Sequence, residues 1–324
     1  MTVEEILALQ LISNKTNLPI IRKLVYSSLG MKLGGSKGLI SFCSEWLGQV
    51  ISAEMAEEVY ARACFLAKQS HSLGIQVLIP SDKNFPEQLK TINEPPLILF
   101  IKGSIEALQG ILVAVVGTRQ ASQYGLQVSY RIGERLAQQN VTVVSGLADG
   151  IDTQAHLGCL NANGITVAVL AHGLDMIYPL KNQYIAEQII ARKGCLVSEY
   201  PPQTTPQKYT FINRNRLQSG LSLGVIVVES QKEGGTMHTA TFCTQQQRML
   251  GCIVFPENQT QPEGNALLTQ KAGTFCLRKS EDLNLYIDSL KGYIFSEEEK
   301  SVCPEKYGKR QSLITEYFKP KVRI

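Results

Sequence analysis

Six short, nearly continuous apolar runs recur at 112–116, 141–145, 165–170, 195–198, 225–229 and 252–255. None alternates apolar with polar residues, as a strand with one wet face would. Runs of this kind belong to strands covered on both faces. The segments between them at 124–139, 152–163, 184–192 and 236–249 have helical spacing. Strands and helices in alternation build a mostly parallel sheet with helices on both faces, an α/β fold. No internal repeat is present. In such a sheet, ligands bind beyond the carboxyl ends of the strands, so the chemistry is sought in the residues just after each run.

The rest of the chain divides around this core. Residues 1–73 read as a small helical N-terminal module, punctuated by Gly30, Gly34, Gly35 and Gly38. Residues 74–103 form a connector with two short strands and the breaks Phe85-Pro86 and Glu94-Pro95-Pro96. The α/β domain occupies 104–290, and 291–324 turns polar and basic, as a flexible tail would. A length of 324 residues suits one large core with small additions. The net charge of +4 excludes a polycation, so any nucleic-acid site must be a local patch. No apolar run is long enough for a bilayer, and residues 1–11 resemble an amphipathic helix rather than a signal peptide, which places the expected location in the cytoplasm. The 8 cysteines form no C-x-x-C pair and sit mostly in apolar runs, as buried reduced thiols do. With 4 histidines at no metal spacing, no metal site is expected. No G-x-G-x-x-G follows the first strand and no G-x-x-x-x-G-K-[ST] occurs, so neither a dinucleotide cofactor nor a P-loop is expected.

Glycine, hydroxyl and arginine residues occupy the strand ends: Gly117-Thr118-Arg119, then Ser145-Gly146 leading into Asp152 and His156, then His172-Gly173, Tyr178-Pro179 and Lys181. Arg214-Asn215-Arg216 precedes the 225–229 run, and Gly234-Gly235-Thr236 comes after it at a helix start. Glycine turns let backbone N–H groups approach a phosphate, and a helix N-terminus adds a favourable dipole. Arg119, Arg214 and Arg216 can fork onto phosphate oxygens. Structural roles compete for several of these residues. Gly117 can simply close a turn, Asp152 can cap a helix, and His156 suits a core position. Arg216 has Glu199 or Glu229 as a candidate ion-pair partner.

Taken together, the segments VAVVGTR, SGLADGID followed by Ala155-His156, GLDMIYP, SEYPP, FINRNR and VIVVES resemble the DprA/Smf family over roughly residues 75–285. The resemblance implies a Rossmann-like fold that usually dimerises. It also implies binding of single-stranded DNA in a basic pocket and loading of a RecA-type recombinase, with no catalytic residues. On matching positions, Arg119 corresponds to the family's Gly-Ser-Arg arginine with Thr118 in place of serine, and Arg214 and Arg216 match its RNR segment. Lys181 and Arg248 lie where members often carry basic residues. Gly234-Gly235-Thr236 departs from the usual Gly-Ser-rich turn, and no winged-helix module is legible in 291–324. Leu267 and Leu268 are candidates for a homodimer contact or for core. The alternative reading is a nucleotide sensor or a nucleoside-monophosphate-hydrolysing enzyme of a related fold, but the full Gly-Gly-x-Gly-Thr turn and its following acid are missing.

The tail carries one further pattern. Gln311, Ile314, Tyr317 and Phe318 fit Q-x-x-aliphatic-x-x-aromatic-aromatic, which resembles the peptide that docks replication and repair proteins on the PCNA sliding clamp. A single helical turn would set Ile314, Tyr317 and Phe318 on one side as an apolar plug. A short helix folding back onto the core would use the same residues.

Overall fold

The computed structural model describes residues 1–14, 16–27 and 32–302, with residues 293–302 described as backbone only. Four helices come first: α1 (Val3–Ile12), α2 (Leu18–Ser27), α3 (Gly35–Leu47) and α4 (Ala53–Ser72). α1 starts where Thr2 and Glu5 form a capping box, each side chain meeting the other's backbone N–H. The buried Glu5 carboxylate also accepts from Leu33 N and Gly34 N at 3.0 and 2.9 Å, so one acid both starts α1 and orients the entry to α3.

The strands are β1 (Gln76–Leu78), β2 (Leu99–Gly103), β3 (Leu112–Val116), β4 (Thr142–Ser145), β5 (Thr166–Val169), β6 (Cys195–Ser198), β7 (Gly224–Val227), β8 (Met249–Ile253) and β9 (Thr274–Leu277). They form one nine-stranded sheet in the order β1-β2-β6-β5-β4-β3-β7-β8-β9. β1 and β2 join antiparallel at one edge, and β3 to β9 run parallel. The fold is therefore the mostly parallel, two-sided α/β sheet that the apolar runs imply. The two strands in 74–103 extend this same sheet.

The later helices are α5 (Glu87–Lys90), α6 (Gln123–Gln138), α7 (Ile151–Asn161), α8 (Gln183–Ala191), α9 (Lys208–Leu221), α10 (Gly235–Gln245), α11 (Glu263–Gln270) and α12 (Ser280–Val302). Residues of α6, α7 and α12 pack with Val113, Val115, Ile226 and Val228 on one face. Residues of α5, α9, α10 and α11 pack with Leu112, Ala114, Val225 and Val227 on the other. The helical module joins α8 in a third cluster that includes Phe100, Ala168 and Leu196.

The described fold adds elements that periodicity does not signal. α9 reads KYTFINRNRLQSGL and buries Arg214, Asn215, Arg216, Gln218 and Ser219 along with Leu217 and Leu221. A helix wrapped by protein on most sides has no polar face, so it has no amphipathic signature. α12 runs across residue 290, beyond which the sequence predicts a tail. Its Leu283, Tyr286, Ile287 and Leu290 are buried at helical spacing, and the Tyr286 hydroxyl donates to Met249 O at 2.9 Å. Gly224 is required beneath that ring, since a Cβ there would collide with the Tyr286 hydroxyl. Gln311, Ile314, Tyr317 and Phe318 lie outside the described residues. Cys159, Cys195, Cys243 and Cys252 are buried as free thiols, and burial pushes each up to about 12. No described helix is long and apolar enough to cross a membrane.

Candidate nucleic-acid interface

The chain enters the parallel sheet at β3, works outward to β6, then returns to lay β7 on the other side of β3. The loops after β3 and β7 consequently diverge in opposite directions and leave a crevice, the position at which doubly wound sheets bind ligands. The crevice here is a cleft of about 690 Å³.

Its first wall is the loop after β3. Thr118 N donates to Glu229 O at 2.8 Å, which ties the loop to the end of β7. Ser122 caps α6, and its backbone N–H and hydroxyl both donate to the buried Glu229 carboxylate, the hydroxyl to Oε2 at 2.8 Å. Gly117 is needed for packing: a Cβ would run into the Ile151 side chain. With its base held this way, the loop presents an exposed Arg119 to the cleft. The Arg119 guanidinium stands 5.0 Å from the centre of the Phe211 ring.

The second wall is α9 and the start of α10. Lys208, Phe211, Asn215 and Gln218 all line the cleft. Their spacing of three, four and three residues is one stripe of a helix. Asn215 Nδ2 donates to Gly235 O at 3.0 Å and so fixes α9 against the start of α10. That start has no side-chain cap, and Gly234, with φ 138 and open space around it, lies exposed at the cleft. Gly234, Gly235 and Thr236 therefore offer uncapped helix N–H groups and the positive end of the dipole to an anion. Sequence reasoning misses Lys208 and Phe211 because the apolar periodicity does not mark α9. The stripe 208, 211, 215, 218 is the signal that could have found them.

The floor holds a buried arginine and a buried acid, Arg214 and Asp152. Arg214 is 5% exposed; its Nη1 donates to Val169 O and its Nε to Asn215 Oδ1 at 3.2 Å. Asp152, also buried, accepts from Gly146 N at 3.0 Å through Oδ2. Burial pushes the Asp152 carboxyl up, against the pull of Arg214, and burial lowers Arg214 to about 10. Arg214 thus keeps its charge at neutral pH. Gly146 makes room for it, since a Cβ would fall inside the guanidinium. Asp152 is not the N-cap of α7. Gly150, with φ 75, holds that position, because the Asp152 side chain turns back to the β4 loop. His156 is a core residue. The Thr166 hydroxyl donates to Val143 O, so it accepts from His156 Nδ1 at 2.7 Å, and burial lowers the imidazole to about 3.

Gly117, Thr118, Arg119, Arg214, Asn215, Gly234, Gly235 and Thr236 are thus brought to one cleft. Five other candidates are not. Ser145 is fully buried, donating to Val115 O, and Gly146 lies behind Arg214. Lys181 is exposed and pairs with Asp149 at 3.0 Å. Arg216 is 2% exposed, with Nη2 2.5 Å from Glu199 Oε2. Adjacent residues on a helix project about 100° apart, so Arg214, Asn215 and Arg216 cannot share one target. Arg248 Nη2 donates to Gln88 O and Gly220 O at 3.2 and 3.4 Å, on the α5 side of α9. Among the described residues, no group of three or more His, Cys, Asp or Glu side chains could hold a metal ion.

Residues 76–286 match the family model described as DNA recombination-mediator protein A. Protein Smf of Escherichia coli strain K12 is 36% identical over 228 residues, 70% of this chain and 59% of its own length. DNA processing protein DprA of Bacillus subtilis is 38% identical over 193 residues, 59% of this chain and 65% of its own. This chain thus spans about three fifths of the length of these curated relatives. The X-ray structure of DprA from Streptococcus pneumoniae superposes with a TM-score of 0.73 at 27% identity, covering 88% of this chain and 98% of that one. A Helicobacter pylori DprA structure, described for its unique single-stranded DNA binding mode, has a TM-score of 0.59 at 28% identity, covering 67% and 96%. The strands, the cleft and the glycine and arginine segments at its mouth all lie in the matched region, and this chain belongs to the DNA recombination-mediator protein A family.

Proposed function

We propose that this chain binds single-stranded DNA in the cleft between the β3 and β7 loops. It acts as a recombination mediator that protects the strand and helps to load a RecA-type recombinase. The observation that carries this reading is the pairing, in one cleft, of an exposed arginine with an aromatic face and an uncapped helix N-terminus. Cations and helix N–H groups suit phosphates, and rings suit unstacked bases. The described single-strand binding of the Helicobacter pylori relative supports it. The test is a gel-shift comparison of single- and double-stranded oligonucleotides across salt. Single strands should bind more tightly with little dependence on sequence, and affinity should fall steeply as salt rises, because neutralised phosphates release counterions. Equal binding of duplex and single strand would refute the reading.

Two partner readings extend it. For a homodimer, Leu267 at 47% exposure is available while Leu268 at 5% belongs to the core. Light scattering at micromolar concentration should give twice the chain mass. For the tail, a peptide covering 306–324 should bind a PCNA-type clamp, and Tyr317→Ala with Phe318→Ala should abolish this without changing DNA affinity. No binding by either peptide or intact chain to the source organism's clamp would end that reading.

A further inference from the structure

Beside the cleft, the segment from the end of β5 into the first turn of α8 carries Tyr178, Leu180 and Tyr184, which are 45%, 71% and 65% exposed. Single exposed apolar side chains are ordinary, but a cluster in one short segment calls for an occupant. The segment is firmly placed. Asn182 is buried, and its Nδ2 donates to Leu147 O at 2.8 Å and to Thr153 Oγ1 at 3.0 Å. It is thereby pinned to the β4–α7 loop and the first turn of α7, whose Ala148 and Asp152 line the cleft. The segment also touches the opposite wall: the Tyr178 ring lies 6.0 Å from that of Phe211, at 57°. Since Arg119 stands over the same Phe211 ring, the row Arg119, Phe211, Tyr178 leads out of the cleft onto the segment. In the middle of the segment is Lys181, whose partner Asp149 is itself partly exposed. A solvent-exposed pair of this kind contributes little, so the ammonium can exchange its carboxylate for a phosphate at small cost.

We propose that this segment is a second stacking platform, and that a single strand held in the cleft leaves it across Tyr178 and Tyr184. The inference rests on the single-strand reading of the cleft. The two rings stack successive bases, and Lys181 meets the backbone between them. Aromatic faces interleaved with a cation, continuous with a cleft that ends in an arginine and a ring, match unstacked nucleotides. A protein partner would be served by Leu180 alone as readily as by the tyrosines, and the experiment separates the two.

The test measures fluorescence anisotropy of oligothymidylates of about 5 and about 20 nucleotides, lengths that span one and several stacking sites. The double variant Tyr178→Ala, Tyr184→Ala should bind the longer strand at least about tenfold more weakly, the scale of one lost base stack. It should bind the shorter one as the wild type does. Tyr178→Phe with Tyr184→Phe should restore long-strand affinity, since it keeps both rings, whereas Leu180→Ser should change neither length. Arg119→Ala should weaken both. All these side chains are exposed, and circular dichroism melts should confirm that each variant folds. Unchanged long-strand affinity in the double alanine variant overturns the platform, and so does an equal loss at both lengths. In either case a loss in Arg119→Ala leaves the cleft reading standing. No loss in Arg119→Ala at either length would instead remove the cleft reading itself.

Discussion

Replacing Arg214 with alanine is expected to lower the stability of the fold by about 1–3 kcal/mol, the usual cost of leaving a buried polar group without its hydrogen-bond partner. Arg214 is 5% exposed, and its guanidinium fills the space that Gly146 leaves open between the β4 loop and α9. Its removal leaves the buried Asp152 carboxyl with the Gly146 N–H but without the nearby positive charge that opposes its burial. It also frees the Val169 carbonyl from a charge-assisted hydrogen bond. Urea unfolding followed by circular dichroism measures the loss. The paired change Arg214→Met with Asp152→Asn should recover part of it, because it refills the buried volume and leaves no acid without a nearby cation, while the Val169 carbonyl stays unpaired. A loss below about 1 kcal/mol in Arg214→Ala would mean that this arginine is held for ligand contact alone. Any fall in DNA affinity of Arg214→Ala therefore has to be read after its stability.

Arg119→Ala is expected to do the reverse. The side chain is exposed and the loop beneath it is held by Thr118, Ser122 and Glu229, so stability should change by no more than about 0.5 kcal/mol. Affinity for single-stranded DNA should fall about 10- to 100-fold, the scale of one hydrogen bond to a charged group, at about 1.5–3 kcal/mol. The loss should be similar for all sequences, since a phosphate carries no base identity. The slope of log affinity against log salt should shrink by about 0.7, one single-strand phosphate contact. Both quantities come from anisotropy titrations at several salt concentrations. Wild-type affinity and slope in Arg119→Ala would place the DNA elsewhere. Arg216→Ala would not make an equivalent test, because that side chain is buried and clamped on Glu199, whose backbone carbonyl holds Gln10 of α1, and its loss would act through packing.

Much of this molecule can be read directly from the chain. The uninterrupted apolar runs can only be strands covered on both faces, because an exposed face would require alternation. Their separation by helices leaves a parallel sheet, and a parallel sheet has its ligand end at the strand carboxyl termini. Gly117, Thr118 and Arg119 come directly after β3 and Gly234, Gly235 and Thr236 follow the loop after β7, so their place at the ligand end is legible in the chain alone, while the strand order that sets β7 beside β3 is not. Local hydrophobic pattern and glycine placement are properties of neighbours in sequence, and a sequence displays them.

The division of labour within Arg214-Asn215-Arg216 is not legible there. In the chain these are three polar residues in a row with an obvious appetite for phosphate. In the fold they sit on a helix that is enclosed by β4 and β5 on one side, by α10 on another and by α5 on a third. One arginine consequently donates to the Val169 carbonyl beneath the cleft, the asparagine fastens α10, and the other arginine meets Glu199. Lys208 and Phe211 reach the cleft from the same helix, whose polar composition hides it. The sequence by itself determined the sheet, its ligand end and the residues at its mouth, because each depends on patterning within a few residues. Only the tertiary structure decided which charges stay free at the cleft, because a charge is consumed by whatever distant carboxylate or carbonyl the fold brings within hydrogen-bond reach.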